Sequence, residues 1–373
     1  MINVLAGINS TGYGSFASCL VAAMDEANMQ PALLPIGGVE CERHHARHIE
    51  SAIERGRRFN PRHPSLRIWH PFAMAEHVGS PRYGYTFFEL DRLNPDEVHH
   101  LNSLDHLFVP TQWAQQVCHD SGVTVPMTVV RPGVDQVLFH PRVKPCPIPG
   151  AGPETMIFAN VGKWSLNKGH DILLRVFNEA FSPDDDVMLV VAAHNPLRFP
   201  GFDGPRESAA WTELYMDSPM GRSGKIRIVP GRFGSKAELA SIMAASHAGI
   251  FLARGEGFNL PAAEMAAMGK PLVMTDCTAH SEYVDVAHVV RVTEMEPAED
   301  GFFFRADNPP WCGRPGQWGV LGPEQVEMAA HHCRQLWQQH RDGNLLPNVS
   351  GIQRFKQWTY ARAAGDIGRV VRV

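Results

Sequence analysis

Apolar runs with the period of a buried strand alternate along this chain with stretches whose apolar positions recur at helical spacing. In the first half, INVLAGIN (2–9) reads as a strand, STGYGS as a turn and FASCLVAAMDEA (16–27) as a helix. LRIWH (66–70), YGYTFFE (83–89), HLFVP (106–110) and TVVRPG (128–133) read as further strands, separated by helix-compatible segments such as PDEVHHLNSL. A second series follows with TMIFANVG (155–162), DVMLVVAA (186–193), KIRIVPG (225–231) and HAGIFLA (247–253). Within it, GHDILLRVFNEAF (169–181) sets Ile172, Leu173, Val176, Phe177 and Ala180 on one helical face. Between the two series, residues 141–154 (PRVKPCPIPGAGPE) hold five prolines and two glycines and sustain neither period, which predicts a linker. The stretch 300–323, rich in Gly, Pro and Trp, fits neither pattern and reads as a loop insertion.

This alternation predicts an α/β protein with two mostly parallel sheets covered by helices, one domain over 1–145 and another over 154–354. In such open sheets ligands lie beyond the carboxyl ends of the strands, so chemistry-bearing residues are sought immediately after strands. Composition narrows the class. With 44% hydrophobic and 20% charged residues the chain is neither disordered nor fibrous, and its net charge of −5 provides no global attraction to nucleic acid or anionic lipid. The opening MINVLAGINS lacks a basic leader, and no apolar run reaches the ~18 residues of a membrane span. A cytoplasmic protein without stable membrane insertion is expected. Seven scattered cysteines with no C-x2-C spacing argue against a disulfide framework and against a zinc site.

The most informative segment is HAGIFLARGEGFNLPAAEMAAMGKPLVMTD (247–276), which reads strand, loop, helix, strand. Pro261 suits the first turn of a helix, whose N–H groups and dipole end favour an anion such as a diphosphate. Glu256 before that helix and Glu264 within it can each accept hydrogen bonds from adjacent sugar hydroxyls. A second segment, VGKWSLNKGHDILL (161–174), places Lys163 and Lys168 across a strand-to-helix loop, where both could reach one diphosphate. A third, VPGRFGSKAEL (229–239), adds Arg232 as a further phosphate contact. After the first strand, Gly12, Gly14 and Ala17 match G-x-G-x-x-A, but the acidic residue expected about 20 positions on is missing, since Glu40 lies 40 − 12 = 28 after Gly12.

These motifs resemble the family 4 retaining glycosyltransferases of GT-B fold. Glu256-Gly257-Phe258-Asn259-Leu260-Pro261 followed by Glu264-Met265-Ala266-Ala267-Met268-Gly269-Lys270-Pro271 is similar to that family's E-x7-E signature, with Asn259 where glycine is commoner. Lys163 and Lys168-Gly169 resemble its G-R-x4-K-G motif, with lysine in place of arginine at the first position. The resemblance implies two Rossmann-like domains facing across a cleft, and a C-terminal helix within 355–373 returning to the first. It implies that Glu256 holds donor-sugar hydroxyls, the amides of Phe258, Asn259 and Leu260 the sugar and phosphate, and Glu264 the ribose. Gly257 belongs to the same donor loop, and Gly12 and Gly14 would come near the donor phosphates. Glu256, Lys163 and Lys168 would carry catalysis, with no metal and no cofactor, the nucleotide-sugar being a co-substrate. No D-x-D cation motif follows a strand, since Asp184 to Asp186 fall in a polar turn. Where many members place an acceptor-domain histidine this chain has Phe88 and Glu89, which leaves Glu89 and His70 as candidates for the acceptor side.

Two other classes fit parts of the pattern: a catalytically silent sugar-nucleotide-binding partner of another transferase, and an NAD-dependent oxidoreductase suggested by Gly12 and Gly14 alone. Residues 43–67 hold seven arginines and two glutamates, a local 7 − 2 = +5. That stretch, with Arg55 and Arg58 at its centre, predicts an anionic acceptor, either a phospholipid-linked sugar or a hydroxymethylated base in DNA. The alternative is a solvated helix face with Glu54 and Arg58 paired.

Overall fold

In the computed structural model the chain divides into two compact units, and all residues are described except 200, 230–234, 301–303, 305–315 and 373. The first unit is built mainly from Met1–Asp135 and Lys356–Val373, the second from Gln136–Phe304 and Gln317–Phe355. The chain leaves the first unit at Asp135, upstream of the proline-rich segment. That segment is not a free linker: Cys146, Ile148 and Ala151 pack on Ile157, Met188, Val190 and Ile242 of the second unit.

The first unit holds a six-stranded parallel sheet of β1 (Ile2–Ile8), β2 (Pro31–Val39), β3 (Ser65–Ile68), β4 (Arg82–Tyr85), β5 (His106–Val109) and β6 (Met127–Val129), in the order β2-β1-β3-β4-β5-β6. β2 and the end of the strand expected over 83–89 are the departures from the sequence reading. PALLPIGGV carries a proline at each of two positions and two glycines, so its β character came from pairing with β1 rather than from its own pattern. Helices α1 (Gly12–Glu26), α2 (Ala46–Gly56), α3 (Pro95–Asn102) and α4 (Gln112–Asp120) cover the sheet. α1 begins at Gly12, so of the predicted STGYGS turn only Ser10 and Thr11 stay outside the helix, and residues 12–15 form its first turn. Its start is fixed by Asn9, whose Oδ1 accepts from the N–H and Oγ1 of Thr11 at 3.0 and 2.6 Å.

The second unit repeats the layout with β7 (Met156–Gly162), β8 (Val187–Ala193), β9 (Ile226–Val229), β10 (Ala248–Phe251), β11 (Leu272–Thr275) and β12 (His288–Val290). All are parallel, in the order β9-β8-β7-β10-β11-β12, so the winding reverses between β7 and β10. α5 (His170–Ala180), α6 (Gly204–Asp217), α7 (Lys236–Ala245), α8 (Leu260–Ala267), α9 (Pro323–Arg341) and α10 (Val349–Gln357) complete it. The predicted apolar stripe of α5 is buried in a core with Phe158, Leu189, Val191, Val326, Ala330 and Leu336. Each buried Val, Leu, Ile or Phe among them contributes roughly 1.5–3 kcal/mol. Within the predicted insertion, Gln317–Gly319 pair antiparallel with Met295–Pro297, and most of the rest lies outside the described residues.

The last helix, α11 (Tyr360–Val371), belongs to the first unit. It buries Ala363, Ala364 and Ile367, sets Tyr360 5.9 Å from Phe16 of α1, and leaves no room for a Cβ at Gly133, which would meet the Tyr360 amide nitrogen at 2.3 Å. The C-terminal helix thus returns as the resemblance implies. No helix among the described residues is long and apolar enough to cross a membrane, and none of the six described cysteines is in a disulfide.

Burial dictates how stability responds to acid. Desolvation holds His170, His77 and His247 down to about 4 and His280 to about 3, so the folded chain refuses protons that the unfolded chain accepts near 6.5. Glu97 acts oppositely: burial raises it to about 7, so the folded form binds a proton that the unfolded carboxyl has released. Four histidines against one glutamate leave the unfolded state with more bound protons between about pH 4.5 and 6.5, and stability falls as pH falls through that window. Thermal melts are expected to show a lower Tm at pH 5 than at pH 7, and a flat profile would contradict the buried neutral histidines. Backbone geometry gives a second test. Gly169 has φ +68°, and a Cβ there would sit 1.7 Å from the Leu252 carbonyl oxygen. Gly169→Ala is expected to cost on the order of 3 kcal/mol or more, read as a lower urea midpoint.

Candidate functional site

The carboxyl ends of β7 and β10 flank the point where the strand order reverses, the position at which doubly wound sheets open a crevice. Pairing between the two strands stops at Gly249↔Ala159, and beyond it the Asn160 side chain spans the gap with a 2.7 Å bond from Nδ2 to the Ile250 carbonyl. The loop after β7 carries Lys163 and Lys168, and the loop after β10 carries Glu256 to Asn259. Backbone contacts clamp the loops together: the Arg254 amide donates to Asn167 O at 2.8 Å, and Asn167 Nδ2 donates to Gly255 O at 3.3 Å. Arg254 also grips Asp171, in the first turn of α5, through two 2.7 Å bonds. Trp164 anchors the β7 loop from below, stacked parallel on Trp211 at 5.8 Å with His170 4.5 Å away.

Four charged side chains meet here as two pairs. Lys168 Nζ lies 2.5 Å from Glu256 Oε2, and Lys236 Nζ lies 3.1 Å from Glu264 Oε1. Both glutamates are 5% exposed, and the lysine side chains 19%. A buried carboxylate survives only beside such a partner. Lys236 also approaches the Phe139 ring at 5.6 Å. The sequence reading missed Lys236, although it stands inside the quoted VPGRFGSKAEL and opens α7. Arg232 lies outside the described residues. Lys163 is partly exposed at the end of β7, its carbonyl accepting from His170 Nε2 at 3.0 Å.

Asn259, in the place where the family commonly has glycine, adopts the left-handed region at φ 70°, ψ 73°. Asparagine tolerates that conformation better than other side-chain-bearing residues, and here it also caps α8: Oδ1 accepts from Ala262 N at 3.2 Å. One helix-terminal donor is therefore consumed by the cap rather than held for an anion. Nδ2 of the same residue faces His280 Nε2 at 2.9 Å. His280 is fully buried, and desolvation keeps it neutral at about 3, with its Nδ1 on Thr275 O at 3.1 Å. A neutral ring donating from Nδ1 must accept at Nε2, which fixes the amide orientation of Asn259. The Tyr283 hydroxyl sits 2.8 and 2.9 Å from the carbonyls of Phe258 and Asn259, and Thr278 Oγ1 accepts from Glu256 N at 2.9 Å. His280, Tyr283 and Thr278 escaped the sequence reading. Their one signal is a polar cluster, Asp276 to Ser281, directly after β11.

The first unit holds the remaining candidates: Tyr13, between Gly12 and Gly14, brings His70 and the segment of Glu89 together, whereas Arg55 and Arg58 pair with Asp25 and Glu54. Gly14 is required by packing, since a Cβ would lie 2.3 Å from Asn9 Oδ1, whereas Gly12 faces open space. His70 is half-buried, 4.4 Å from the Tyr13 ring and stacked on Phe72 at 5.3 Å. Tyr13 donates to Phe87 O at 2.5 Å, two residues before the half-buried Glu89. The basic stretch is largely used internally. Arg55 pairs with Asp25 and donates to Pro31 O, Arg67 is buried against Glu76, and Arg57 and Arg58 both reach Glu54. Arg55 is thus a structural side chain, and the +5 of the sequence overstates the cation left for an acceptor.

Comparison with known proteins bears on the fold. Residues 155–309 match the family model Glycosyl transferases group 1. No curated protein matches the chain by sequence. Among solved structures the chain is similar to a sucrose-phosphate synthase of Thermosynechococcus elongatus, with a TM-score of 0.66 at 12% identity over 100% of this chain and 98% of that one. It is similar to HepE of Anabaena in complex with UDP and glucose, with a TM-score of 0.64 at 11% identity over 100% and 99% of the two chains. It is also similar to a trehalose-6-phosphate protein of E. coli bound with UDP-2-fluoro glucose, at 0.64 and 10% over 99% and 98%. The chain has the GT-B fold, and its residues 155–309 match the model of the Glycosyl transferases group 1 family.

Proposed function

We propose that the protein is a retaining glycosyltransferase that moves a hexose from a UDP- or GDP-sugar to an acceptor hydroxyl without a catalytic metal. The observation that carries this reading is the pair of buried Lys–Glu contacts at the β7/β10 reversal, Lys168 with Glu256 and Lys236 with Glu264. Each lysine holds a carboxylate that can be exchanged for a diphosphate oxygen. As the phosphates take Lys168, Glu256 is released to accept the donor-sugar hydroxyls, while Glu264 receives the ribose hydroxyls beside Lys236. The amides of Gly257, Phe258, Asn259 and Leu260 line the sugar and phosphate, on a loop held rigid by His280 and Tyr283.

In the transfer step the bond from the sugar's anomeric carbon to the diphosphate breaks as the acceptor oxygen bonds to that carbon on the same face. The acceptor proton passes to the departing diphosphate. Negative charge grows on the leaving group, and Lys163, Lys168 and the α8 dipole end stabilise it, the effect that most often dominates catalysis. UDP in the HepE complex and UDP-2-fluoro glucose in the E. coli structure support a uridine donor. The acceptor would meet the first unit near His70 and Glu89. An anionic acceptor draws support from exposed arginines of the stretch, Arg43 and Arg62 together with Arg57 and Arg58, the last two of which share Glu54.

Calorimetry separates the two carboxylates. Glu264→Ala is expected to weaken UDP or GDP binding roughly 10- to 100-fold, the equivalent of losing one charge-assisted contact. Glu256→Ala is expected to leave nucleotide binding intact and to depress transfer or nucleotide-sugar binding. Unaltered nucleotide affinity in Glu264→Ala would remove it from the ribose. Transfer, or slow hydrolysis of the donor, is also expected to persist through brief EDTA treatment. Loss that manganese restores would overturn the metal-free mechanism.

A further inference from the structure

Away from the donor site, three side chains from distant parts of the first unit converge on one point. Cys19 on α1, His45 at the start of α2 and Asp135 at the end of the unit each offer one ligand atom, and these atoms lie within 4.8 Å of one another. His44 reaches the same carboxylate, with Nε2 2.7 Å from Asp135 Oδ2, and its ring centroid is 4.0 Å from that of His45, whose own Nε2 is 3.7 Å from Oδ2. His45 Nδ1 is buried without a hydrogen-bond partner among the described residues.

We propose that Cys19, His45 and Asp135 bind a divalent transition metal of the zinc class, with His44 the nearest candidate for the fourth position. Thiolate, imidazole and carboxylate together suit zinc and exclude calcium and magnesium, which take oxygen alone. One thiolate and one carboxylate neutralise the ion's two charges, so the closed site carries no net charge where Cys19 is 6% and Asp135 8% exposed. That burial also denies Cys19 the access a nucleophile needs, which disfavours reading the group as a Cys–His–Asp catalytic set. Ligand atoms around tetrahedral zinc are roughly 3.3–3.8 Å apart, so closure asks for shifts of about 1 Å. The ion would tie α1, the start of α2 and the chain's exit from the first unit, a structural clip over long loops.

The test uses the full chain stripped with chelator and titrated with cobalt, then zinc. Wild type is expected to take about one equivalent of cobalt with a sulfur-to-metal charge-transfer band, to lose that band to zinc, and to melt several degrees higher with zinc bound. Cys19→Ser and His45→Ala, checked for folding by circular dichroism, are expected to show neither the band nor the zinc shift, while donor binding in Cys19→Ser stays as in wild type. Absence of the thiolate band in wild type would overturn the site whatever the variants do. So would a band that survives Cys19→Ser. Neither result bears on the donor site, which shares no residue with this cluster.

Discussion

The second unit depends on a separation: β7 and β10 are neighbours that pair at their amino ends and part at their carboxyl ends. The parting exists because the chain winds in opposite directions on either side of this pair, so the loops that follow cross to opposite faces. It exposes backbone that the ladder no longer satisfies, and the side chain of Asn160 takes up one of the freed carbonyls. Everything chemical hangs on that opening. Gly169 lets one loop approach the Leu252 carbonyl, Asn167 bonds the other, and Arg254 ties both to the start of α5.

Charge is then placed where the sheet has opened. Two carboxylates at 5% exposure would be costly alone, and their lysines make them tolerable without making the pairs strongly stabilising. An arrangement of that kind is suited to exchange, because an incoming anion substitutes for a carboxylate that has other hydrogen bonds to make. The surroundings are neutral by design of burial: His280 and His170 are both held uncharged, so they orient Asn259 and the Lys163 carbonyl without competing for the anion.

The first unit shows how folding redistributes a local charge. Seven arginines within 43–67 look like a surface for an anion, yet Asp25, Glu54, Glu76 and the Pro31 carbonyl account for four of them. Three of those four acceptors come from outside the stretch, so only folding discloses the neutralisation. The glycine pair after β1 behaves similarly, since Gly14 is demanded by contact with Asn9 whatever binds nearby.

Local pattern alone was enough for the two α/β series, the strand-loop-helix placement of Glu256 and Glu264, and the cationic loop after β7. Those features are local: period, proline position and residue spacing report on neighbours a few residues apart. β2 stayed hidden because its prolines and glycines pair only through β1, and Asn259 could not be judged until its φ and its two side-chain bonds were in place. Lys236 with Glu264, His280 with Asn259, and Cys19 with His45 and Asp135 were decided by tertiary structure alone. Their members are 28, 21 and up to 116 residues apart (264 − 236, 280 − 259 and 135 − 19), and no sequence period carries information across such distances. Only one of the scattered cysteines, Cys19, enters that cluster, and its companions are a histidine and an aspartate that no cysteine spacing could point to.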